Sequence, residues 1–168
     1  MNVIKILEYA LEREYEGKRF FWENASRLQN AAAAGAFKAI AEEEQRHIDF
    51  IAAQIAAFDA GVSAEHPNLP QAGFFAERAE SENIEIAVSE AMVADLPVLR
   101  MAYLIERDFA EFYAQMAAKL ALGSAAGANG EAQKVLEMLA KWEAGHERLF
   151  KRLHDQAFEK YAEMPWGG

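Results

Sequence analysis

The interpretation of this chain rests on the tetrapeptide EQRH at residues 44–47, whose pattern recurs as EAGH at residues 143–146. Each tetrapeptide places a glutamate three residues before a histidine, and on a helix such residues share one face. A carboxylate and an imidazole presented in this way can bind one metal ion from one side. Either pair taken alone is a short motif, for which a salt-linked turn on the surface of a charged helix is the favoured interpretation.

Four long helices are predicted around these pairs, at residues 3–29, 36–60, 96–122 and 131–161. Apolar residues recur at steps of three or four in each, which is the pattern of a helix with one buried face. The stripe on the second helix contains Ile40, Glu44, His47 and Ile51, so both members of the pair are expected to point inward. Glu14 interrupts the apolar stripe of the first helix in the same way.

The segments between the helices carry turn signals. Residues 30–35 are predicted to form the first turn, and Gly61 is placed to end the second helix. Asp95 reads as the cap of the third helix with Pro97 in its first turn, and residues 123–130 form the clearest loop. The segment 62–73 is expected to be irregular, Ser81 is a candidate cap for a shorter helix, and residues 164–168 form an irregular tail.

The chain repeats itself as two helical hairpins. A shift of 92 places Glu14 on Glu106, and a shift of 99 places the first Glu-x-x-His on the second. In an antiparallel hairpin, residues equidistant from the turn lie level. Glu14 and the pair at 44–47 have their midpoint in the first predicted turn, and Glu106 and the pair at 143–146 have theirs in the loop at 123–130. Each lone glutamate should therefore lie level with its pair, roughly 22 Å from the turn at about 1.5 Å per residue.

Four carboxylates and two imidazoles would then converge inside an apolar bundle. Buried carboxylates persist only when they are paired, protonated or bound to metal. Two divalent cations would balance the four negative charges, and a sulfur-free set suits iron or manganese, with zinc also possible. The six candidate ligands are Glu14, Glu44, His47, Glu106, Glu143 and His146.

Composition narrows the class of protein. The 168 residues favour one domain, and the absence of cysteine excludes disulfides, zinc–thiolate sites and iron–sulfur clusters. A net charge of −10 argues against nucleic acid or an anionic membrane surface as a partner. The sequence shows neither a signal peptide nor a run long enough to span a membrane, so we expect a cytoplasmic protein.

The four motifs together resemble rubrerythrin-type members of the ferritin-like superfamily. They are E-x-x-G-x-x-x-F at residues 14–21, E-x-x-H at 44–47, E-x₆-Y at 106–113 and E-x-x-H at 143–146. The resemblance implies an all-α four-helix bundle with one long crossover between the second and third helices. It also implies a non-haem di-iron centre that reacts with peroxide or dioxygen, and a homodimer.

The resemblance further implies a role for each ligand. Glu44 and Glu143 would bridge the two iron ions. The terminal ligands would be Glu14 with His47 and Glu106 with His146, and no catalytic residue beyond the ligands and no organic cofactor is expected.

Three departures from the family pattern bear on function. The cysteine-rich rubredoxin domain of rubrerythrins is missing, so the resemblance implies an external electron donor, rubredoxin-like or other. Phe109 stands where the family has a second glutamate on the third helix, which puts a seventh carboxylate ligand in doubt. Phe21 stands where the family has tyrosine, whereas Tyr113 keeps the hydroxyl in the other half.

The other polar and aromatic residues have plainer interpretations. The aromatic residues near the site are expected to pack in the core rather than relay electrons. A glutamate-rich face is expected to be solvated, with one member free to orient a ligand histidine. His154 reads as a surface or packing residue, and His66 carries no site of its own. The aromatic residues are Phe21, Tyr103, Tyr113 and Trp142, and the glutamates are Glu12, Glu16, Glu42, Glu43 and Glu111.

Three functions remain open from the sequence. The first is an oxidoreductase, a rubrerythrin-like peroxidase active in oxidative stress, that reduces hydrogen peroxide or dioxygen at two iron ions. The second is a ferroxidase or iron-storage protein that uses the same ligands. The third is an interaction bundle that binds little metal, in which the carboxylates have lost their role.

Overall fold

The protein folds as a helical bundle, and the computed structural model describes residues 2–61, 93–122 and 128–165. No strand occurs within those residues, and the all-α prediction is confirmed. The predictions at residues 62–73, for Ser81 and His66, and for most of the loop and tail lie outside the described residues. The helices are α1 (Val3–Ala25), α2 (Ala31–Asp59), α3 (Leu96–Ala121) and α4 (Ala128–Glu163).

The turn between α1 and α2 lies about five residues earlier than predicted. Asn30 is the N-cap of α2, because its side-chain oxygen accepts hydrogen bonds from the backbone N–H groups of Ala32 and Ala33 at 2.9 and 3.0 Å. Alanine has the highest helix propensity, so the alanine run continues the helix instead of interrupting it. The predicted turn at residues 30–35 is therefore wrong, and the turn occupies residues 26–30.

Asp95 has a different role from the one that its position predicts. It precedes α3, but its carboxylate makes no capping hydrogen bond there. Instead it accepts hydrogen bonds from the backbone N–H groups of Gln29, at 2.9 and 3.1 Å, and Asn30, at 2.9 Å. The side chain is 3% exposed. Asp95 thus joins the start of the second hairpin to the turn of the first.

The remaining helix ends differ from the predictions by a few residues. Gly61 has φ 66°, in the left-handed region that favours glycine, and directly follows the C-cap of α2 as predicted. α4 begins at Ala128, three residues before the predicted start, which places Glu131 in its first turn. A carboxylate near a helix N-terminus stabilises the helix, and Glu131 provides one here. The helix therefore includes the Asn-Gly pair at 129–130, although these residues favour a turn.

Each hairpin packs its two helices together, and two apolar clusters fill the bundle. The cluster near the α1–α2 turn contains Phe21, Phe37 and Phe150, whose ring centroids lie 5.0–5.3 Å apart. The other cluster is mainly aliphatic and includes Leu7. Along α1, Glu14 lies between Leu7 and Phe21, so one apolar cluster lies on each side of it.

We expect Asp95→Ala to lower the free energy of unfolding by about 1–3 kcal/mol, because the buried N–H of Asn30 and the part-buried N–H of Gln29 lose a charged acceptor. Urea denaturation of the metal-free protein measures the change. Asp108→Ala, at an exposed position on α3, is the matched control and should stay within about 0.5 kcal/mol of the parent. Equal values for the two variants would contradict the bridging role of Asp95.

Candidate metal centre

All six predicted ligands are fully buried and converge at one place in the bundle. α1 and α3 supply one glutamate each, and α2 and α4 supply one Glu-x-x-His pair each. Their ligand atoms form two groups, and within each group the atoms lie within 4.8 Å of one another. The groups are Glu14, Glu44, His47 and Glu143, and Glu44, Glu106, Glu143 and His146.

Glu44 and Glu143 belong to both groups, and we call them the shared glutamates. Glu14 and His47 complete what we call the His47 half-site, and Glu106 and His146 complete the His146 half-site. This is the division that the family resemblance implies, with two bridging glutamates and a Glu–His pair at each end. The geometry brings the six residues together, and their role as metal ligands stays a prediction.

Both histidines present Nδ1 to the carboxylates. His47 Nδ1 lies 3.2 Å from Glu14 Oε2, 3.3 Å from Glu44 Oε2 and 3.0 Å from Glu143 Oε1. His146 Nδ1 lies 3.2 Å from Glu44 Oε1, 3.5 Å from Glu106 Oε2 and 3.3 Å from Glu143 Oε2. Each imidazole therefore has one nitrogen placed for a cation and one directed away from the cluster.

Glu43 is one of the five glutamates predicted on a solvated face, among which one is expected to be able to orient a ligand histidine. It was predicted to lie on a solvated face, but it is 2% exposed, and its Oε2 lies 2.8 Å from His146 Nε2. Glu42 on the same turn is exposed, as predicted. The sequence did contain a sign that Glu43 is buried. Glu43 lies three residues after inward-facing Ile40 and four before His47, which places it at the edge of the buried face of α2.

Two aromatic side chains, Tyr113 and Trp142, contact residues among the six candidate ligands. The Tyr113 hydroxyl donates a hydrogen bond to Glu14 Oε1, and the Trp142 ring stacks on His47 at a centroid distance of 4.9 Å. Gly17 lets α1 approach α3, because a Cβ there would lie 3.2 Å from the Phe109 ring and 4.0 Å from Glu44 Oε2. Phe109 is half-buried at this point, so that position supplies no seventh carboxylate.

The cluster holds more buried polar atoms than the described residues satisfy. Both carboxylate oxygens of Glu44, Glu106 and Glu143 lack a hydrogen-bond partner among those residues, as does His146 Nδ1. Unpaired buried groups of this kind are costly, and each loses the favourable hydration that it had in the unfolded chain. Iron and manganese prefer carboxylate oxygen and imidazole nitrogen as ligand atoms. The six residues offer these atoms in two adjacent groups and therefore fit a pair of such ions.

Electrostatics divides the four glutamates into two classes. Burial raises the pKa of Glu14 well above its ordinary value of 4.5, and the charges of Glu143 and Glu44 raise it further. The pKa of Glu106 is raised by the same causes in the same order. Both shifts favour the protonated form of these two terminal glutamates in the metal-free protein.

The shared glutamates behave in the opposite way. Burial by itself would raise the pKa of Glu44, but the charge of His47 and the close contacts with Glu14, His146 and His47 outweigh it and hold the pKa well below 4.5. Burial and the charge of Glu44 likewise oppose ionisation of Glu143, yet His47 and His146 lower its pKa to about 2.

Both histidines are held in the charged form by these carboxylates. Burial lowers the pKa of His47, but the charges of Glu143 and Glu44 outweigh it and raise the pKa well above 6.5. For His146, Glu106 is the largest of the groups that raise the pKa against burial. Imidazolium charge thus offsets carboxylate charge, and protons favoured on the two histidines and on Glu14 and Glu106 take the place that two divalent cations would take.

We expect the metal-free protein to lose stability as the pH rises above 4.5 and then above 6.5, the ordinary pKa values of its carboxyl and imidazole groups. The pKa values of Glu14, Glu106, His47 and His146 are all higher in the folded state. Their contribution to stability is therefore fully present below their unfolded pKa values and is lost as the pH rises towards the folded ones. The slope should reach at most about 1.4 kcal/mol per pH unit for each titrating group.

Urea denaturation with a chelator at each pH measures this profile, and the same series with saturating Mn(II) is the control. Bound cations replace these protons, so the stabilisation by Mn(II) should grow with pH. A flat profile in the presence of chelator would contradict the charge assignment.

Comparison with known proteins agrees with this geometry. The family model described as Rubrerythrin matches residues 5–154, which is most of the chain. None of the curated proteins or solved structures searched matches significantly. In the part of the chain that the structure describes, no helix is long and apolar enough to cross a membrane. The chain belongs to the rubrerythrin family, whose members carry a ferritin-like di-iron domain.

Proposed function

We propose that this protein is a di-iron oxidoreductase that reduces hydrogen peroxide or dioxygen with electrons from an external donor. The observation that carries the proposal is the pair of overlapping ligand groups that share Glu44 and Glu143. Two ions held by common carboxylates lie close enough to act on one small molecule together. When bound, an iron pair supplies the two electrons that, with two protons, convert hydrogen peroxide into two water molecules.

The chain contributes a dry site with fixed ligands. The apolar clusters on the two sides of the site exclude bulk water, which strengthens the attraction between carboxylates and cations. The Tyr113 hydroxyl holds one oxygen of Glu14, and Glu43 holds the outer nitrogen of His146. Such contacts fix the orientation of ligands and limit the reorganisation that a change of metal charge would require.

A groove between α1 and α3 supports access for a small oxidant. Its volume is about 360 Å³, and Arg13, Gly17, Phe109 and Phe112 are among its lining residues. Glu44 Oε2 lies 4.0 Å from where a Cβ of Gly17 would be. We propose that hydrogen peroxide or dioxygen approaches through this groove and that the half-buried Phe109 ring limits its passage.

Anaerobic reconstitution with Fe(II) tests the proposed function. We expect about two iron ions per chain, rapid oxidation by hydrogen peroxide, and the visible absorption of an oxo-bridged iron pair. Glu44→Ala removes a ligand from both half-sites and should abolish stoichiometric binding, whereas Glu42→Ala on the exposed face should bind as the parent does. Uptake of far more iron by a large hollow assembly would favour storage, and failure to bind metal would favour an interaction bundle.

We expect Phe109→Ala to raise the rate constant for oxidation by peroxide several-fold at unchanged iron content. The smaller side chain widens the end of the groove beside Gly17, while all six ligands remain. Stopped-flow absorbance of the Fe(II) protein mixed with peroxide measures the rate. Phe158→Ala, at an exposed phenylalanine of α4, is the control, and an equal rate for the two variants would rule out this route.

The partners follow from the same proposal. The chain has no cysteine, so it cannot carry a rubredoxin-type iron site of its own. We propose a separate electron donor, rubredoxin-like or other, and a homodimer as the working assembly. Reduction of the oxidised protein by a purified donor and the mass of the protein in solution test these two points.

A further inference from the structure

The two halves of the metal centre differ at one pair of equivalent positions. The shift of 99 that relates the Glu-x-x-His pairs places Glu43 on Trp142, and each precedes a shared glutamate. Each also contacts the histidine of the opposite hairpin. Glu43 Oε2 lies 2.8 Å from His146 Nε2, whereas the Trp142 ring stacks on His47 with an interplanar angle of 15°.

This difference should make His146 a stronger metal ligand than His47. A carboxylate that accepts the Nε2–H hydrogen bond fixes the tautomer with Nδ1 free for a cation, and makes that nitrogen more basic. Glu43 also adds a buried negative charge behind the ligand. Arg46 Nη1 lies 4.0 Å from Glu43 Oε1, and the Arg46 side chain is 46% exposed, so solvent screens much of the charge of Arg46.

His47 has no equivalent anchor. Its Nε2 is buried and has no hydrogen-bond partner among the described residues. The stacked face of Trp142 restricts the ring but supplies neither an acceptor in the imidazole plane nor a full negative charge. A neutral imidazole that binds metal through Nδ1 would keep its Nε2–H unpaired there, which is an energetic cost to binding in the His47 half-site.

The terminal glutamates differ in the same direction. One oxygen of Glu14 already accepts a hydrogen bond from the Tyr113 hydroxyl, whereas neither oxygen of Glu106 has a hydrogen-bond partner among the described residues. The equivalent of Tyr113 in the other half is Phe21, which has no hydroxyl. Glu106 can thus direct both oxygens to a cation, while Glu14 has one that is already engaged.

We propose that the two half-sites bind metal with unequal affinity, and that the His146 half-site fills first and empties last. Glu43 is the positioning residue that makes the difference. The inference rests on the proposed metal pair and deepens it, because it assigns an order of loading to two sites that the ligand set alone leaves equivalent. At limiting metal, the chain should accumulate with one cation, held by Glu106, His146 and the shared glutamates.

Anaerobic calorimetric titration of the metal-free protein with Mn(II) tests the order, with chelator competition for the tighter step. We expect two separate binding steps. Glu43→Gln removes the charge but keeps the size of the side chain, and should weaken the tighter step by about 10–100-fold. The ratio of the two dissociation constants should therefore become smaller. Glu42→Gln makes the same chemical change one residue away on the exposed face and should leave the ratio unchanged.

The direction of the change decides the result. Two sites of equal intrinsic affinity can still bind in separate steps, because the first cation repels the second. In that case, or if the His47 half-site were the tighter one, Glu43→Gln would weaken the second step and widen the ratio. A widened ratio, or an equal loss in both steps, would overturn the proposal.

A second variant and a fold check complete the experiment. Glu43→Asp keeps the charge but shortens the side chain, so it should give a ratio between those of the parent and Glu43→Gln. Circular dichroism of each metal-free variant shows whether the helices are intact. If the parent bound no metal at all, the proposed function would fail, whereas binding of two ions with the ratio widened by Glu43→Gln would overturn the loading order alone.

Discussion

The structure depends on one constraint, which is that six ionisable side chains share a small volume with no access to bulk water. Four carboxylates cannot all be charged there without an equal positive charge. In the metal-free protein, the raised pKa values of the two histidines and of Glu14 and Glu106 favour their protonated forms, which reduces the excess of negative charge. Two divalent cations would supply the same balance of charge with all four glutamates ionised and both histidines neutral. The cluster is therefore suited to the exchange of protons for metal that the proposed function requires.

The bundle makes this exchange possible by holding the polar cluster between two apolar regions. The packed rings of Phe21, Phe37 and Phe150 lie towards the first turn, and the mainly aliphatic cluster that includes Leu7 and Leu136 lies on the other side. Both regions contain residues from all four helices, so they fix the helices in position without help from the polar groups. Stability from the apolar regions offsets the cost of burying the ligands.

The sequence was sufficient for the features that depend on helical periodicity, and insufficient for those that depend on contacts between helices. Glu14 and His47 are level because they lie at similar separations from the turn between α1 and α2. Counting residues along the sequence predicts this even when the turn is placed a few residues late. The role of Asp95 was missed because its partner, Gln29, is 66 residues away. The sequence could not single out Glu43 among five candidate glutamates, because exposed and inward-facing glutamates look alike until the neighbouring helix is placed.

Duplication explains both the likeness of the two hairpins and the importance of their differences. A pair of identical hairpins would present each ion with the same ligands and the same surroundings. Here the ligands are retained, and the residues that contact them have diverged: Glu43 against Trp142, and Tyr113 against Phe21. Because a contact behind a ligand changes its basicity and orientation without changing the ligand itself, the two halves can differ in chemistry while their ligand sets remain the same. The order of loading follows from this divergence rather than from the six ligands.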